Sequence, residues 1–232
     1  MSGAEPLYLI PGLGSDAAVW DQTAAALGSA AECRIADTFS DDTLSAMAAR
    51  LLRGAPPRFA LAGLSMGGMV ALEVMRQAPG RVARLALFDT NAAPDDETAR
   101  AARVVTRDRL RQIEAFVDVP EAAWSYLVHP EAVPRVAGAM TAMMQRVSPA
   151  AYARQIDAVL AREDLRPVLA QIAVPTIVVI GDADRVTPRA MADALAAGIA
   201  GARLIVVERC GHLPPLELPD ESARILGDWL AA

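Results

Sequence analysis

The sequence predicts an α/β protein in which a mostly parallel sheet of about six strands carries helices on both faces. Two observations predict it. Short apolar runs alternate with longer alanine-rich amphipathic stretches along the 232 residues, the pattern of parallel strands joined by crossover helices. The alternation breaks once. From about residue 95 to 165 only helical signals appear, so a helical insertion divides a core made of residues 1–94 and 166–232.

The elements follow in order. Leu7 to Ile10 is an apolar run that stops at Pro11-Gly12, and it reads as a buried strand. Asp16 to about Gly28 reads as a helix with Asp16 near its cap. Cys33 to Asp37 is a weak second strand, and Asp42 to about Arg53 is a helix. Arg58 to Gly63 is a third strand that runs directly into Gly67-Gly68. Met69 to Ala78 is helical and stops at Pro79-Gly80; Val82 to Phe88 is the fourth strand. In the insertion, Asp95-Asp96-Glu97 reads as a helix N-terminal turn on a solvated face. Pro120, Pro130, Pro134 and Pro149 punctuate about four helices there. Thr176 to Ile180, rich in β-branched residues, is the strongest strand signal. A helix from Pro188, a strand from Arg203 to Val207 and a helix from Pro219 to Trp229 complete the chain.

Composition removes several classes of function. A chain with 53% hydrophobic and 22% charged residues can bury a sizeable core. A net charge of -6 argues against a nucleic-acid partner, which would need a basic stripe for the phosphates. All 22 basic residues are arginine. That excludes lysine Schiff bases and the P-loop lysine. Two separated cysteines, Cys33 and Cys210, give no disulfide framework and no structural zinc site. Two histidines, His129 and His212, leave two candidates for any histidine mechanism. No organic cofactor and no metal is expected. The N-terminus lacks the basic region of a signal peptide, and no run of about 18 apolar residues is present. The expectation is a soluble cytoplasmic protein acting on a small molecule away from the membrane; the sequence leaves its oligomeric state open.

Gly63-Leu64-Ser65-Met66-Gly67 is a G-x-S-x-G sequence between a predicted strand and a predicted helix. That context is what makes the pentapeptide specific. A strand that turns sharply into a helix leaves the central serine strained, and side chains two residues away on either side would clash. The serine oxygen then projects above the sheet at a helix N-terminus, which favours developing negative charge. Such a serine needs a base. His212, just past the last strand, suits that role; His129, inside the insertion, suits a surface position better. An acid must orient the imidazole. Asp182 and Asp184 compete after the strongest strand, with Asp89 more distant. Asp184 is favoured, because Asp182 directly follows Gly181 and suits a turn. Backbone N–H groups of Leu13, in the glycine-flanked loop after the first strand, and of Met66 are the candidate oxyanion donors.

LIPGLGSDAAVW near the start, GLSMGG, GDADRVTP and CGHLPPLELP near the end span nearly the whole chain. In these pieces, their order and their spacing, the chain resembles the α/β-hydrolase superfamily of small serine esterases and lipases. The resemblance implies a nucleophile at Ser65, an acid at Asp184, a base at His212, oxyanion donors at Leu13 and Met66, and a helical cap at 95–165. It departs from many relatives at Pro11-Gly12, where they carry His-Gly, and in a sheet that starts two strands late. The implied reaction is hydrolysis of a small or medium carboxylic ester through an acyl-enzyme. The same fold also supports lyases, C–C hydrolases, perhydrolases and non-enzymatic binders of small molecules.

Other residues carry a plainer reading beside a functional one. Trp20, Trp124, Tyr126 and Met143 are candidate substrate-lining residues, with Met140 and Met144 as neighbours in the same stretch. Cys210 reads as a buried packing residue rather than a thiol nucleophile, Arg185 as a solvated arginine, and Trp229 as core.

Overall fold

A computed structural model of the protein describes residues 5–116 and 121–232. The first four residues and Pro120, one of the expected helix punctuators, lie outside that range. Six strands form one sheet: β1 (Leu7–Ile10), β2 (Cys33–Ile35), β3 (Phe59–Leu64), β4 (Val82–Phe88), β5 (Thr176–Gly181) and β6 (Arg203–Val207). Their order is β2-β1-β3-β4-β5-β6, and every pairing is parallel.

Ten α-helices accompany the sheet among the described residues: α1 (Asp21–Leu27), α2 (Leu44–Gly54), α3 (Met66–Gln77), α4 (Glu97–Leu110), α5 (Val133–Val147), α6 (Pro149–Leu160), α7 (Arg166–Leu169), α8 (Arg189–Gly198), α9 (Pro214–Glu217) and α10 (Pro219–Ala231). Between β4 and β5 the described residues hold helices α4 to α7 and a 3₁₀ turn at Glu121–Tyr126, with no strand.

The period-two alternation of the strands sorts the core onto two faces. Leu7, Leu9, Ala62, Leu64, Phe88 and Val179 pack on one side with Trp20 and with Ile225 and Trp229 of α10. Tyr8, Ile10, Leu61, Leu85, Leu87 and Val178 pack on the other with residues of α2, α3 and α8. Trp124, Val128, Val136, Met140 and Met143 of the insertion join the first cluster, so insertion and sheet share one apolar core.

Several boundaries differ from the sequence expectation, each for a local reason. The helix expected over 16–28 is a 3₁₀ turn at Ala17–Val19, capped by the Asp16 side chain, followed by α1. The helix expected from Met69 begins at Met66, because β3 passes into α3 through Ser65 alone. The second strand ends at Ile35, an edge strand with a single neighbour. In the acidic run at the start of α4, Asp96 caps the helix by accepting the Ala99 N–H at 2.8 Å. Asp95 is not solvated. It is half-buried between Arg103 and Arg162.

The topology positions the site. Strand order reverses between β1 and β3, and these neighbours place Ile10 opposite Gly63. The loop after β1 and the turn after β3 therefore emerge side by side at the carboxyl ends of the strands, where ligands bind in open α/β sheets.

Candidate active site

Ser65 has φ 54° and ψ −116°, a backbone conformation that L-residues rarely adopt. Groups of β4 and the residues just after it hold it there. Its N–H donates to the Phe88 carbonyl at 2.9 Å, and its carbonyl accepts the Thr90 hydroxyl at 2.7 Å. The flanking glycines are demanded by close approach. A Cβ on Gly63 would lie 2.2 Å from the Gly67 carbonyl oxygen, and one on Gly67 would lie 2.2 Å from that of Ile10.

The hydroxyl meets an imidazole. Ser65 Oγ lies 2.9 Å from His212 Nε2, and His212 Nδ1 lies 2.9 Å from Asp184 Oδ2. The His212 side chain is nearly buried and that of Asp184 fully so. Asp184 Oδ1 accepts the N–H groups of Val186 and Thr187 at 2.7 and 3.1 Å, and Oδ2 also accepts the Thr187 hydroxyl. Burial pushes the Asp184 carboxyl up, but the hydrogen bond and charge of His212 and the donors of Thr187 and Val186 outweigh it. The net position is below the ordinary carboxylate value.

The competing aspartates have other partners. Asp182 is exposed and accepts the Cys210 N–H at 3.2 Å, a turn contact. Asp89, at the exit of β4, is buried; its Oδ1 accepts the Gly181 N–H at 2.9 Å. Burial and the charge of Asp184 push the Asp89 carboxyl well above the ordinary value. His129 is remote from this chemistry: its N–H donates to Glu217, and its Nδ1 accepts the Glu131 N–H.

The loop from Pro11 to Ser15 presents its backbone to the same space. Among the described residues, neither the Leu13 N–H nor the Met66 N–H donates a hydrogen bond. The next N–H along, that of Gly14, donates to Gln155 Oε1 at 2.8 Å. Gln155 is buried on α6, and its Nε2 donates to the Thr38 carbonyl and hydroxyl oxygens. The insertion therefore pins this loop.

It pins the His212 loop as well. The His212 N–H donates to the Leu127 carbonyl at 2.7 Å. Glu217, fully buried on α9, accepts the N–H groups of Gly211, Leu213 and His129 at 2.7 to 3.1 Å.

Ser65, His212, Leu13 and Met66 line one cavity of about 410 Å³, within the range of small-molecule sites. Of the expected lining residues, Trp124, Tyr126, Met140, Met143 and Met144 border it. Trp20 does not. It is fully buried in the core, donates its indole N–H to the Ile10 carbonyl at 3.2 Å, and meets the Phe88 ring edge-on. Its large apolar surface suited either place, and the short turn after β1 carries it inward. Cys210 is fully buried, and burial with nearby carboxylates pushes its thiol far up, away from nucleophilic use. Arg185 is exposed, its carbonyl accepting the Tyr126 hydroxyl at 3.1 Å.

Sequence reasoning missed Thr187, Gln155, Glu217, Arg103 and Tyr152. Thr187 alone had a signal, three residues past Asp184 in the same turn.

A model of the Alpha/beta hydrolase family matches residues 7–225. The pimeloyl-[acyl-carrier protein] methyl ester esterase of Aromatoleum aromaticum is 32% identical over 203 residues, covering 80% of this chain and 79% of that protein. The esterase of the same name from Neisseria meningitidis serogroup C is 28% identical over 180 residues, 72% of this chain and 68% of that one. A thermophilic esterase from Thermogutta terrifontis, solved with malate bound, superposes with a TM-score of 0.83 at 27% identity, over 98% of this chain and 89% of that one. A nucleophile-type turn on a parallel sheet, the full-length match and these esterase relatives agree: the chain belongs to the alpha/beta hydrolase family.

Proposed function

We propose that this chain hydrolyses a carboxylic ester by acyl transfer through Ser65, with residues 95–165 as the cap over the acyl group. Ester hydrolysis itself follows from the family and from relatives named as esterases. The observation that carries the assignment of residues is the continuous path Ser65 Oγ, His212 Nε2, His212 Nδ1, Asp184 Oδ2, with both contacts at 2.9 Å.

His212 accepts the hydroxyl proton as Ser65 Oγ attacks the acyl carbon. Asp184 holds the imidazole with Nε2 toward serine and stabilises the imidazolium that forms. The negative oxygen of the tetrahedral intermediate accepts the Leu13 and Met66 N–H groups, which have no partner among the described residues. The C–O bond to the alcohol breaks, and the alcohol leaves with the proton from His212. Water then repeats the sequence on the acyl-enzyme, with His212 as base, and releases the acid.

The relatives' names supply the substrate reading: a methyl ester at the end of an acyl chain carried on acyl carrier protein. The cavity supports an unbranched acyl chain, since Met66, Met69, Met140, Met143, Met144 and Leu213 give it adaptable apolar walls.

Fluorophosphonate labelling with peptide mass spectrometry tests the assignment. The expected result is one adduct on Ser65, lost in Ser65→Ala, together with loss of ester turnover by roughly 10³-fold or more in that variant. Ordinary turnover by folded Ser65→Ala would overturn it.

A further inference from the structure

The cavity that holds Ser65 is apolar along most of its wall, yet polar side chains of the insertion also border it, among them Arg103 on α4 and Tyr152 on α6. We propose that Arg103 and Tyr152 form a recognition site for a second electron-rich oxygen group on the acyl chain, a carboxylate or a carbonyl, remote from the ester that Ser65 attacks. The inference rests on the reading of Ser65 as the nucleophile and names the class of acyl group that the site selects.

The arginine is built in. Its Nε donates to Asp95 Oδ2 at 2.7 Å, and its side chain is one-quarter exposed. Asp95 is held from the other side, where its Oδ1 accepts Arg162 Nη2 at 2.9 Å. The Arg162 side chain is buried, and its remaining donors go to the Ala93 and Val159 carbonyls. Arg162 is therefore spent on the scaffold. Arg103 uses Nε alone among the described residues, so both of its terminal nitrogens remain as donors in a planar fork suited to a pair of oxygens.

Charge points the same way. Two guanidinium groups share one carboxylate, which leaves the cluster with an excess positive charge beside an apolar cavity. An uncompensated cation in such a place favours an anion or a strong dipole.

Tyr152 supplies the second donor. Its ring carbons lie 3.2 to 3.4 Å from where a Cβ on Gly14 would stand, so the ring covers the loop next to Leu13. Its hydroxyl makes no hydrogen bond with a described residue. Burial pushes the phenol up, so it stays a neutral donor, and the Arg103 charge acts on it from nearby. A plain fatty acyl chain would leave these donors without acceptors; a two-headed acyl chain would satisfy them.

Three methyl esters of matched chain length test this: methyl hexanoate, dimethyl adipate and monomethyl adipate. Wild-type enzyme is expected to prefer one or both adipate esters over the hexanoate by at least about tenfold in kcat/KM. Preference for the half-ester alone identifies a carboxylate; equal preference for both identifies a carbonyl. In Arg103→Met the adipate-to-hexanoate ratio is expected to fall by about tenfold or more. Arg103→Lys, which keeps the charge and loses the fork, should recover part of it. Tyr152→Phe should lower the ratio more mildly. No preference in the wild type, or an equal loss on all three esters in Arg103→Met, overturns the proposal.

Binding to Ser65→Ala, read by calorimetry, separates this failure from that of the catalytic reading. Tighter binding of an adipate ester than of methyl hexanoate, abolished by adding Arg103→Met, supports the site whatever the fate of Ser65 as nucleophile. Equal affinities overturn the site alone.

Discussion

Asp89 and Asp184 place their carboxyl groups together beside His212, with one ligating atom from each of the three side chains within 4.8 Å of the others. Their surroundings push the two acids in opposite directions. Asp184 is rich in donors and sits below the ordinary carboxylate value; Asp89 is buried, has one oxygen without a partner among the described residues, and sits well above it. The pH dependence of stability follows with opposite signs. Above the unfolded aspartate value, folded Asp89 keeps a proton that the unfolded chain has lost, so its contribution weakens as pH rises toward its folded value. Asp184 contributes above its unfolded value, and that contribution is lost as pH falls through its depressed folded value. Asp89→Asn is expected to raise the melting temperature more at pH 8 than at pH 5 while keeping a neutral side chain beside Asp184. Thermal melts across that range check it; a uniform effect at all pH values would contradict the assigned charge state.

The choice between neighbouring aspartates is equally sharp. Asp184→Asn should lower kcat by about 10³- to 10⁴-fold, because an amide cannot hold the imidazole in the required tautomer. Asp182→Asn should cost activity little and stability less than about 1 kcal/mol, since Asp182 is exposed and makes a single turn contact. Steady-state kinetics on any ester that the enzyme cleaves will rank the two.

Glu217→Gln is expected to lower both stability and kcat. The carboxylate accepts three backbone N–H groups, and a glutamine would turn a donor toward donors in a site without water access. A cost of about 1 to 3 kcal/mol follows from one buried unsatisfied group. Because His212 lies between two of the restrained N–H groups, kcat should fall more than KM rises. Chemical denaturation and kinetics on the same preparation measure both.

Glycine substitutions should divide by location. Gly67→Ala and Gly63→Ala each drive a Cβ to 2.2 Å from a backbone oxygen, and a loss of about 3 kcal/mol or more, or no folded protein, is expected. Gly138→Ala, in the exposed interior of α5 with nothing within 4 Å of the new Cβ, should stabilise by about 0.5 to 1 kcal/mol. Denaturant midpoints for the three variants test the contrast.

What was legible in the sequence follows from how each residue is constrained. Ser65 stands out because its backbone turn forbids side chains at 63 and 67, and that prohibition is written as glycine. His212 was legible as a candidate because the chain holds only two histidines and one of them follows a strand. Strands β1, β3, β4 and β5 were legible because apolar runs buried on both faces have little other use; the edge strands β2 and β6 are partly exposed and carried a weaker signal. Gln155 and Glu217 were not legible. Each is a buried polar side chain with partners far away in sequence, Gly14 and Thr38 for Gln155 and His129 for Glu217, and before folding it looks like any polar residue of a surface helix. Arg103 was hidden in the same way, as one of many arginines on an exposed-looking helix. Trp20 reads as a ligand-facing aromatic until its own packing against Phe88 and its hydrogen bond to the Ile10 carbonyl are known.

Two of the hydrogen bonds that tie the His212 loop to the insertion are blind to side-chain identity on the insertion's side, whereas the Glu131–Arg209 ion pair and the Arg135 bond to the Glu217 carbonyl are not. The Leu127 carbonyl and the His129 N–H are main-chain groups that every residue offers, apart from the missing N–H of proline. At these two points the insertion is free to change its side chains without losing its hold on the His212 loop. A transplanted insertion would work only if it delivered one carbonyl and one N–H to the same two points. Selectivity can be rewritten in this architecture while the reacting atoms stay where they are.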